Sequence, residues 1–407
     1  AASTAAASTA TTTSPNSSTT STSTSTCTTC TTSNAAPAAA AAAAPARFRQ
    51  RGELITGRIP GVDKAVSRII YGTLFLHSFE SDETCFELLD SVWAAGCNAF
   101  DCAAIYGGGK CEERMGRWMR SRGIARADVV IISKGGCEGQ DKLWAATCSD
   151  AVKLRADLDA SLARLGVEYL DAYLLHRDDP STPVEKVVDA MDGLVASGGI
   201  RAWGVSNWQL PRLAAALDYS RRWGKAGPVA DSPQNSLAEP SRAVWPNTSF
   251  LPAERRPLWA EVTRGEVAML GWESLAKGFM CGRWTRADGE GLAEFELGES
   301  NAAEWRDMQL RRAYCDGPLN FDRRDRALEL GAQKGVSLAE MALGYVISQS
   351  ALSFALVGTT SISHWKENVK AAQPGSPANA LTAAEMAYME TGAWRRAGGG
   401  HGTVPVA

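Results

Sequence analysis

From about Ile69 the chain alternates two textures, short β-branched runs and longer segments with apolar residues three and four apart. Eight of the short runs read as strands, at 67–72, 98–101, 129–134, 170–176, 201–206, 229–235, 267–273 and 353–357. Helical stretches lie between them at 82–96, 110–122, 150–165, 184–198, 210–223, 254–264 and 322–350. The 82–96 segment carries the logic. Ser81 can cap it, Asp82 and Glu83 suit its first turn, Phe86, Leu89, Val92 and Trp93 form an inward stripe, and Gly96 stops it. Eight strands alternating with helices over about 300 residues predict an α/β fold, a single-domain (β/α)8 barrel. The alternative is an open doubly wound sheet. It calls for a G-x-G-x-x-G opening a helix after an early strand, and Gly107-Gly108-Gly109 lacks that spacing.

A barrel of this kind gathers its chemistry at the carboxyl ends of its strands. Asp101, Lys134 and His176 each close a strand-like run, and Tyr106 follows Asp101 by five residues. A free phenol has a pKa of about 10. An ammonium at Lys134 would favour the phenolate of Tyr106 and lower that value, while Asp101 holds the lysine and His176 orients a substrate oxygen. Such a set makes a proton donor beside a carbonyl. The hydride that a carbonyl reduction also needs comes from no side chain, so a cofactor is expected. Ser206 also ends a strand, but no histidine lies close in sequence to activate it. Taken one at a time, these residues have plainer readings: a turn-forming Asp, a packed Tyr, a solvated Lys, a structural His. Their register on successive strands favours the chemical one.

The rest of the chain narrows the classes. Of the 407 residues, 45% are hydrophobic and the net charge is −3, so neither nucleic acid nor an anionic membrane is an expected partner. No run of 18 apolar residues predicts a membrane span. Cys27 and Cys30 form a CxxC without a second pair or a nearby histidine, so no metal site is expected, and the other cysteines read as reduced thiols. Residues 1–60 read as a tail ahead of a barrel over 61–395, with a flexible end at 396–407. Positions 1–46 are nearly all Ala, Ser and Thr, which cannot build a core. The tract has no acid before Glu53 and ends near Arg47, Arg49 and Arg51. That pattern fits a transit peptide for a chloroplast or other organelle. It equally fits low-complexity sequence with no address on a cytoplasmic protein.

The segment Asn98-Ala99-Phe100-Asp101-Cys102-Ala103-Ala104-Ile105-Tyr106-Gly107, followed by Cys111-Glu112-Glu113-Arg114-Met115-Gly116, resembles the signature of the aldo-keto reductase superfamily. So do Leu174-Leu175-His176-Arg177 with Pro180 beyond, and Gly199-Ile200-Arg201-Ala202-Trp203-Gly204-Val205-Ser206-Asn207-Trp208. The likeness spans roughly residues 65–392 and looks closer to bacterial-type and potassium-channel-β-like members than to the aldose reductase branch.

The resemblance implies roles. Tyr106 matches the proton donor, with Asp101, Lys134 and His176 completing the tetrad. Ser206, Asn207 and Gln234 match the set that holds the nicotinamide carboxamide, and Trp272 the aromatic stacked on its ring. Gly72 and Thr73 fall at the nicotinamide ribose. Ser274, Leu275, Lys277, Gly278 and Arg283 match the loop along the pyrophosphate. Gly358, Thr359, Thr360, Ser361, His364 and Asn368 fall at the adenosine end. The implied cofactor is NADPH, with NADH possible, and the implied partner is a small carbonyl compound. An NADP(H)-binding regulatory protein of the channel-β kind is the rival reading. Trp208 and Trp245 are candidate walls of a substrate pocket. Two departures stand out. His364 occupies a place where many relatives carry Arg or Gln near the 2′-phosphate. Glu273 puts a carboxylate into the pyrophosphate loop, which makes sense only if it faces Lys277 or Arg283.

Overall fold

The computed structural model describes residues 51–137, 150–245, 247–292, 301–395 and 401–402. Eight parallel strands close into a barrel. They are β1 (Ile69–Gly72), β2 (Ala99–Asp101), β3 (Val130–Gly135), β4 (Leu170–Leu175), β5 (Ile200–Ser206), β6 (Pro228–Ser232), β7 (Ala268–Gly271) and β8 (Ser353–Val357). Each is flanked by its sequence neighbours, and β8 pairs with both β7 and β1, which leaves no free edge.

Side-chain alternation along the strands divides the core in two. Ile70, Ala99, Val130, Leu174, Leu270 and Phe354 belong to a cluster that fills the bore. Tyr71, Phe100, Ile131, Tyr173 and Trp203 belong to a larger cluster packed against the helices. An antiparallel hairpin, Thr56–Gly57 with Val66–Ser67, precedes β1. Ile59, Val62 and Val66 join the bore cluster, so this segment plugs the barrel. The expected tail over 1–60 is therefore too long. Leu54 and Ile59 are buried in the fold. The Ala/Ser/Thr tract at 1–46 lies outside the described residues, as does most of 396–407, although His401–Gly402 pairs with Trp394–Arg395.

The helices are α1 (Asp82–Ala94), α2 (Lys110–Arg122), α3 (Ala151–Leu165), α4 (Val184–Ala196), α5 (Leu210–Trp223), α6 (Arg256–Thr263), α7 (Ala302–Tyr314), α8 (Leu319–Lys334), α9 (Leu338–Ile347), α10 (Ile362–Asn368) and α11 (Ala383–Thr391). Ser81 caps α1 as the sequence predicts, accepting from the Thr84 N–H. Two expectations change. The helix expected over 322–350 is two helices, because Ser337 and Glu340 form a reciprocal capping box that starts α9 afresh. The stretch between 273 and 322, where neither a strand nor a helix is expected, contains α7. No helix among the described residues is long and apolar enough to cross a membrane.

Candidate active site

The carboxyl ends of β2, β3 and β4 bring four predicted residues together. Lys134 Nζ donates to both carboxylate oxygens of Asp101 at 2.6 Å, to the Cys102 carbonyl at 3.1 Å and to the Tyr106 hydroxyl at 3.2 Å. The His176 ring stands edge-on to Tyr106, with centroids 5.7 Å apart. Asp101, Lys134 and His176 are all buried. Tyr106 sits on a short turn in which Gly107, Gly108 and Gly109 have φ of 58°, 64° and 93°. Such angles are costly for residues with a Cβ, and a Cβ on Gly107 would lie 2.4 Å from His77. The triple glycine is thus a conformational device that returns the phenol to Lys134.

Burial alone would lower the Lys134 pKa, but the charge of Asp101, with Tyr106 adding to it, outweighs burial once the phenol ionises, and the ammonium is held above its ordinary value. Burial raises Tyr106, and Lys134 only partly opposes that shift. The sequence-based expectation of a lowered phenol is therefore corrected. Desolvation of the phenolate exceeds the pull of an ammonium already committed to Asp101. At neutral pH Tyr106 carries its proton. His176 is pushed well down by burial, then by Lys134 and Arg177, and is neutral.

Next to this group lie the residues expected to seat a nicotinamide. Ser206 donates to the Ser232 carbonyl at 2.9 Å. Asn207 Nδ2 donates to Ser206 Oγ at 2.9 Å and its Oδ1 accepts from the Ser249 N–H at 3.3 Å. Gln234 and Trp272 are bridged side by side beyond β6 and β7, and Trp272 packs on the bore cluster. Gln234 Nε2 donates to Glu273 Oε2 at 2.8 Å and also contacts the Tyr314 hydroxyl. Thr73 donates to the Asp101 carbonyl, and Gly72 lies against Gly358 across β1 and β8. Thr359 and Ser361 shape the turn into α10, where Ser361 caps the His364 N–H, with Thr360 between them and Asn368 buried at the far end.

The loop after β7 holds Leu275, Lys277, Gly278 and Arg283, with Ala276, Lys277 and Gly278 at positive φ. Both cations are already paired, Lys277 with Glu273 at 3.1 Å and Arg283 with Asp307 at 2.7 Å. Glu273 thus does face Lys277. Lys277 also lies between the rings of Phe75 and Trp245, at 5.9 and 5.7 Å. Two expectations are corrected. Ser274 turns its hydroxyl inward onto the Gly271 carbonyl at 2.8 Å, so it offers none to a phosphate. Trp208 packs in the layer between strands and helices under Arg212, lining a small cavity with Asp231 and Trp259, and does not wall the tetrad. Trp245 instead donates to Glu273 at 3.2 Å. Sequence reasoning missed Tyr314 and Phe75, which come from segments with no motif to mark them.

The donor set suits a dinucleotide. An amide, a half-buried aromatic ring and paired cations at a turning backbone match a carboxamide ring and a diphosphate. Fold and site together define a barrel oxidoreductase class. Residues 68–390 match the model of the Aldo/keto reductase family, and the chain belongs to that family. It is 30% identical over 312 residues to a probable voltage-gated potassium channel subunit beta of Oryza sativa subsp. japonica, covering 75% of this chain and 87% of that protein. A protein of the same description from Arabidopsis thaliana is 30% identical, covering 68% and 78%. A thermostable aldo-keto reductase crystallised with the inhibitor epalrestat shares the fold, with a TM-score of 0.58, 21% identity, and coverage of 83% of this chain and 99% of that one.

Proposed function

We propose that this protein is an NADPH-dependent reductase of aldehydes or ketones, with NADH as the lesser carrier. The observation that carries the reading is Lys134 Nζ set between Asp101 and the Tyr106 hydroxyl. A bound nicotinamide dinucleotide would supply the hydride that the carbonyl carbon needs. Gln234, Asn207, Ser206 and Trp272 would hold its ring, and Lys277 and Arg283 its diphosphate. The chain's own part is the proton. Tyr106 Oη gives its hydrogen to the carbonyl oxygen, and Lys134 stabilises the phenolate left behind. Neutral His176 donates a hydrogen bond to the same oxygen and fixes its approach. Asp101 keeps Lys134 charged and in place, acting through it.

The channel-subunit descriptions of the plant relatives favour one second reading, a dinucleotide-sensing regulatory protein with little turnover. A panel of carbonyl compounds followed at the nicotinamide absorbance, with NADPH and NADH in parallel, separates the two. Turnover that vanishes in Tyr106→Phe supports the reductase, whereas cofactor binding without turnover on any carbonyl supports the sensor. For residues 1–46 the same reading includes organelle targeting, which fails if a fluorescent fusion of that tract stays in the cytosol.

A further inference from the structure

Glu273 is the acid that the pyrophosphate loop does not call for, and the fold goes to some trouble to bury it. Its backbone stands at φ 55°, a left-handed conformation unfavourable for a residue with a Cβ. Its carboxylate is 5% exposed and collects four donors from four places in the chain. Gln234 Nε2 approaches at 2.8 Å, the Tyr314 hydroxyl at 3.0 Å, Trp245 Nε1 at 3.2 Å and Lys277 Nζ at 3.1 Å. Lys277 alone would explain a charge here. It does not explain why Gln234 and Tyr314 converge on the same group.

Gln234 supplies the reason. A side-chain amide can face a neighbour with either its oxygen or its nitrogen, and the two faces recognise opposite partners. An ionised carboxylate only accepts, so it can face only the nitrogen. Tyr314 gives its own hydrogen to Glu273, which leaves its oxygen lone pairs to accept the second hydrogen of Gln234 Nε2. Both amide hydrogens are then spent on the Glu273–Tyr314 side, and Oε1 is turned the other way. Burial, with Glu273 beside it, raises the Tyr314 pKa well above the ordinary phenol, so that hydroxyl keeps its hydrogen.

We infer that Glu273, with Tyr314, is a positioning residue that locks Gln234 as a hydrogen-bond acceptor and so makes the seat specific for a ring bearing a primary-amide N–H2. The inference rests on the reading of this cleft as a nicotinamide seat. It concerns which end of a carboxamide the protein recognises, and Glu273 itself need not touch the ring.

Cofactor analogues test it at equilibrium, without turnover. In 3-acetylpyridine-NADP+ a methyl group replaces the amide nitrogen, whereas thionicotinamide-NADP+ keeps the N–H2. Dissociation constants for NADP+ and both analogues are measured by calorimetry. The native protein should bind the acetylpyridine analogue about tenfold more weakly than NADP+, the worth of one hydrogen bond, and the thio analogue nearly as well as NADP+. In Glu273→Met the amide is free to turn its nitrogen toward the acetyl oxygen, and the acetylpyridine penalty should shrink severalfold; in Tyr314→Phe the carboxylate still faces Nε2 but one amide hydrogen is released toward the acetyl oxygen, and the penalty should shrink less. Glu273→Gln presents an amide that can face Gln234 with either end, so it too should lose much of the penalty. Any change at Lys277 affects all three dinucleotides alike and cancels in the ratio. Tyr314→Phe loses one atom from a packed ring and serves should Glu273→Met fail to fold. An unchanged ratio in the variants, or no penalty in the native protein, overturns the lock while leaving the seat intact. Absence of NADP+ binding by the native protein overturns the seat itself, and the lock with it.

Discussion

Asp231 gives the sharpest physical prediction outside the tetrad. It sits at the carboxyl end of β6, paired with Val205 of β5 and Met269 of β7, with its side chain in the outer layer. Oδ2 accepts the Trp259 Nε1 hydrogen at 2.8 Å, and Oδ1 has no partner. A carboxylate held by the Trp259 N–H and, more weakly, by the Ser232 backbone, with no cation beside it, is poorly compensated for its lost water. Burial accordingly pushes its pKa up to about 7, against an ordinary 3.8. The folded protein therefore binds a proton that the unfolded chain releases, throughout the window between those values. Stability falls as pH rises through that window and levels off above the folded pKa. At 1.36 kcal/mol per unit, the full cost of ionisation is about 4 kcal/mol. Asp231→Asn replaces the group with a neutral one of the same shape. Urea unfolding of both proteins, in steps from pH 4.5 to 8.5, isolates the effect from every other titrating group. The variant's stability relative to native should climb across pH 5–7 by a few kcal/mol, within that bound of about 4, and then hold flat. A difference that does not vary with pH, or that falls as pH rises, would refute the reasoning.

Two further outcomes follow from close approaches in the site. Tyr106→Phe should lower turnover by about 10²–10⁴-fold, the usual worth of a positioned general acid, while the dissociation constant for NADPH stays near native; unchanged turnover would sink the assignment. Gly135 follows Lys134 on β3, and a Cβ there would lie 1.8 Å from the Tyr173 hydroxyl. Gly135→Ala should cost about 1–3 kcal/mol in urea unfolding. That hydroxyl has no hydrogen-bond partner, so adding Tyr173→Phe should recover part of the loss. A double variant no more stable than Gly135→Ala would place the strain elsewhere.

The strands were legible because most are buried on both faces and read as largely apolar runs, broken by few residues such as the exposed Arg201 of β5. The sequence-based ends of β8 coincide with the observed ones, β2 starts one residue later than expected, and β3 is shifted by one residue at both ends. The helix α7 was not legible. Ala302–Tyr314 interleaves Glu304, Arg306, Asp307, Arg311 and Arg312 with its apolar residues, and its buried side chains, Met308, Leu310, Ala313 and Tyr314, gather toward its end, so no stripe runs its length for periodicity to detect. The boundary between α8 and α9 was hidden for the opposite reason, since apolar residues continue on both sides of Gly335. The tetrad could be read because strand order alone brings Asp101, Lys134 and His176 to one rim. Where a side chain turns is another matter. Ser274 satisfies its hydroxyl on Gly271 O, and Trp208 stacks under Arg212, because local partners compete with the ligand face and spacing does not record that competition. The acidity of Tyr106 failed for a related reason. The sequence reveals the neighbouring ammonium but not the burial that outweighs it.

The Asp101–Lys134 pair separates folding from function in a way that can be measured. Both side chains are nearly sealed, at 5% and 3% exposure, with Nζ to Oδ1 at 2.6 Å. Taking two charges out of water is expensive, and their attraction only roughly repays it. Replacing such pairs with well-packed apolar residues is often neutral or stabilising by about 1–4 kcal/mol, whereas removing one partner costs about 3–5 kcal/mol. If the pair exists for stability, the apolar replacement should be as damaging as either single change. If it exists to hold a charge beside the Tyr106 hydroxyl, stability and turnover should part company. Asp101→Leu and Lys134→Met alone should each unfold at markedly lower urea than native. The double variant should regain most of that loss, yet show no more turnover than Tyr106→Phe, because the phenolate left by proton donation has no ammonium to face. A double variant as unstable as the singles would assign the pair to the scaffold. One that is both stable and active would remove Lys134 from the chemistry.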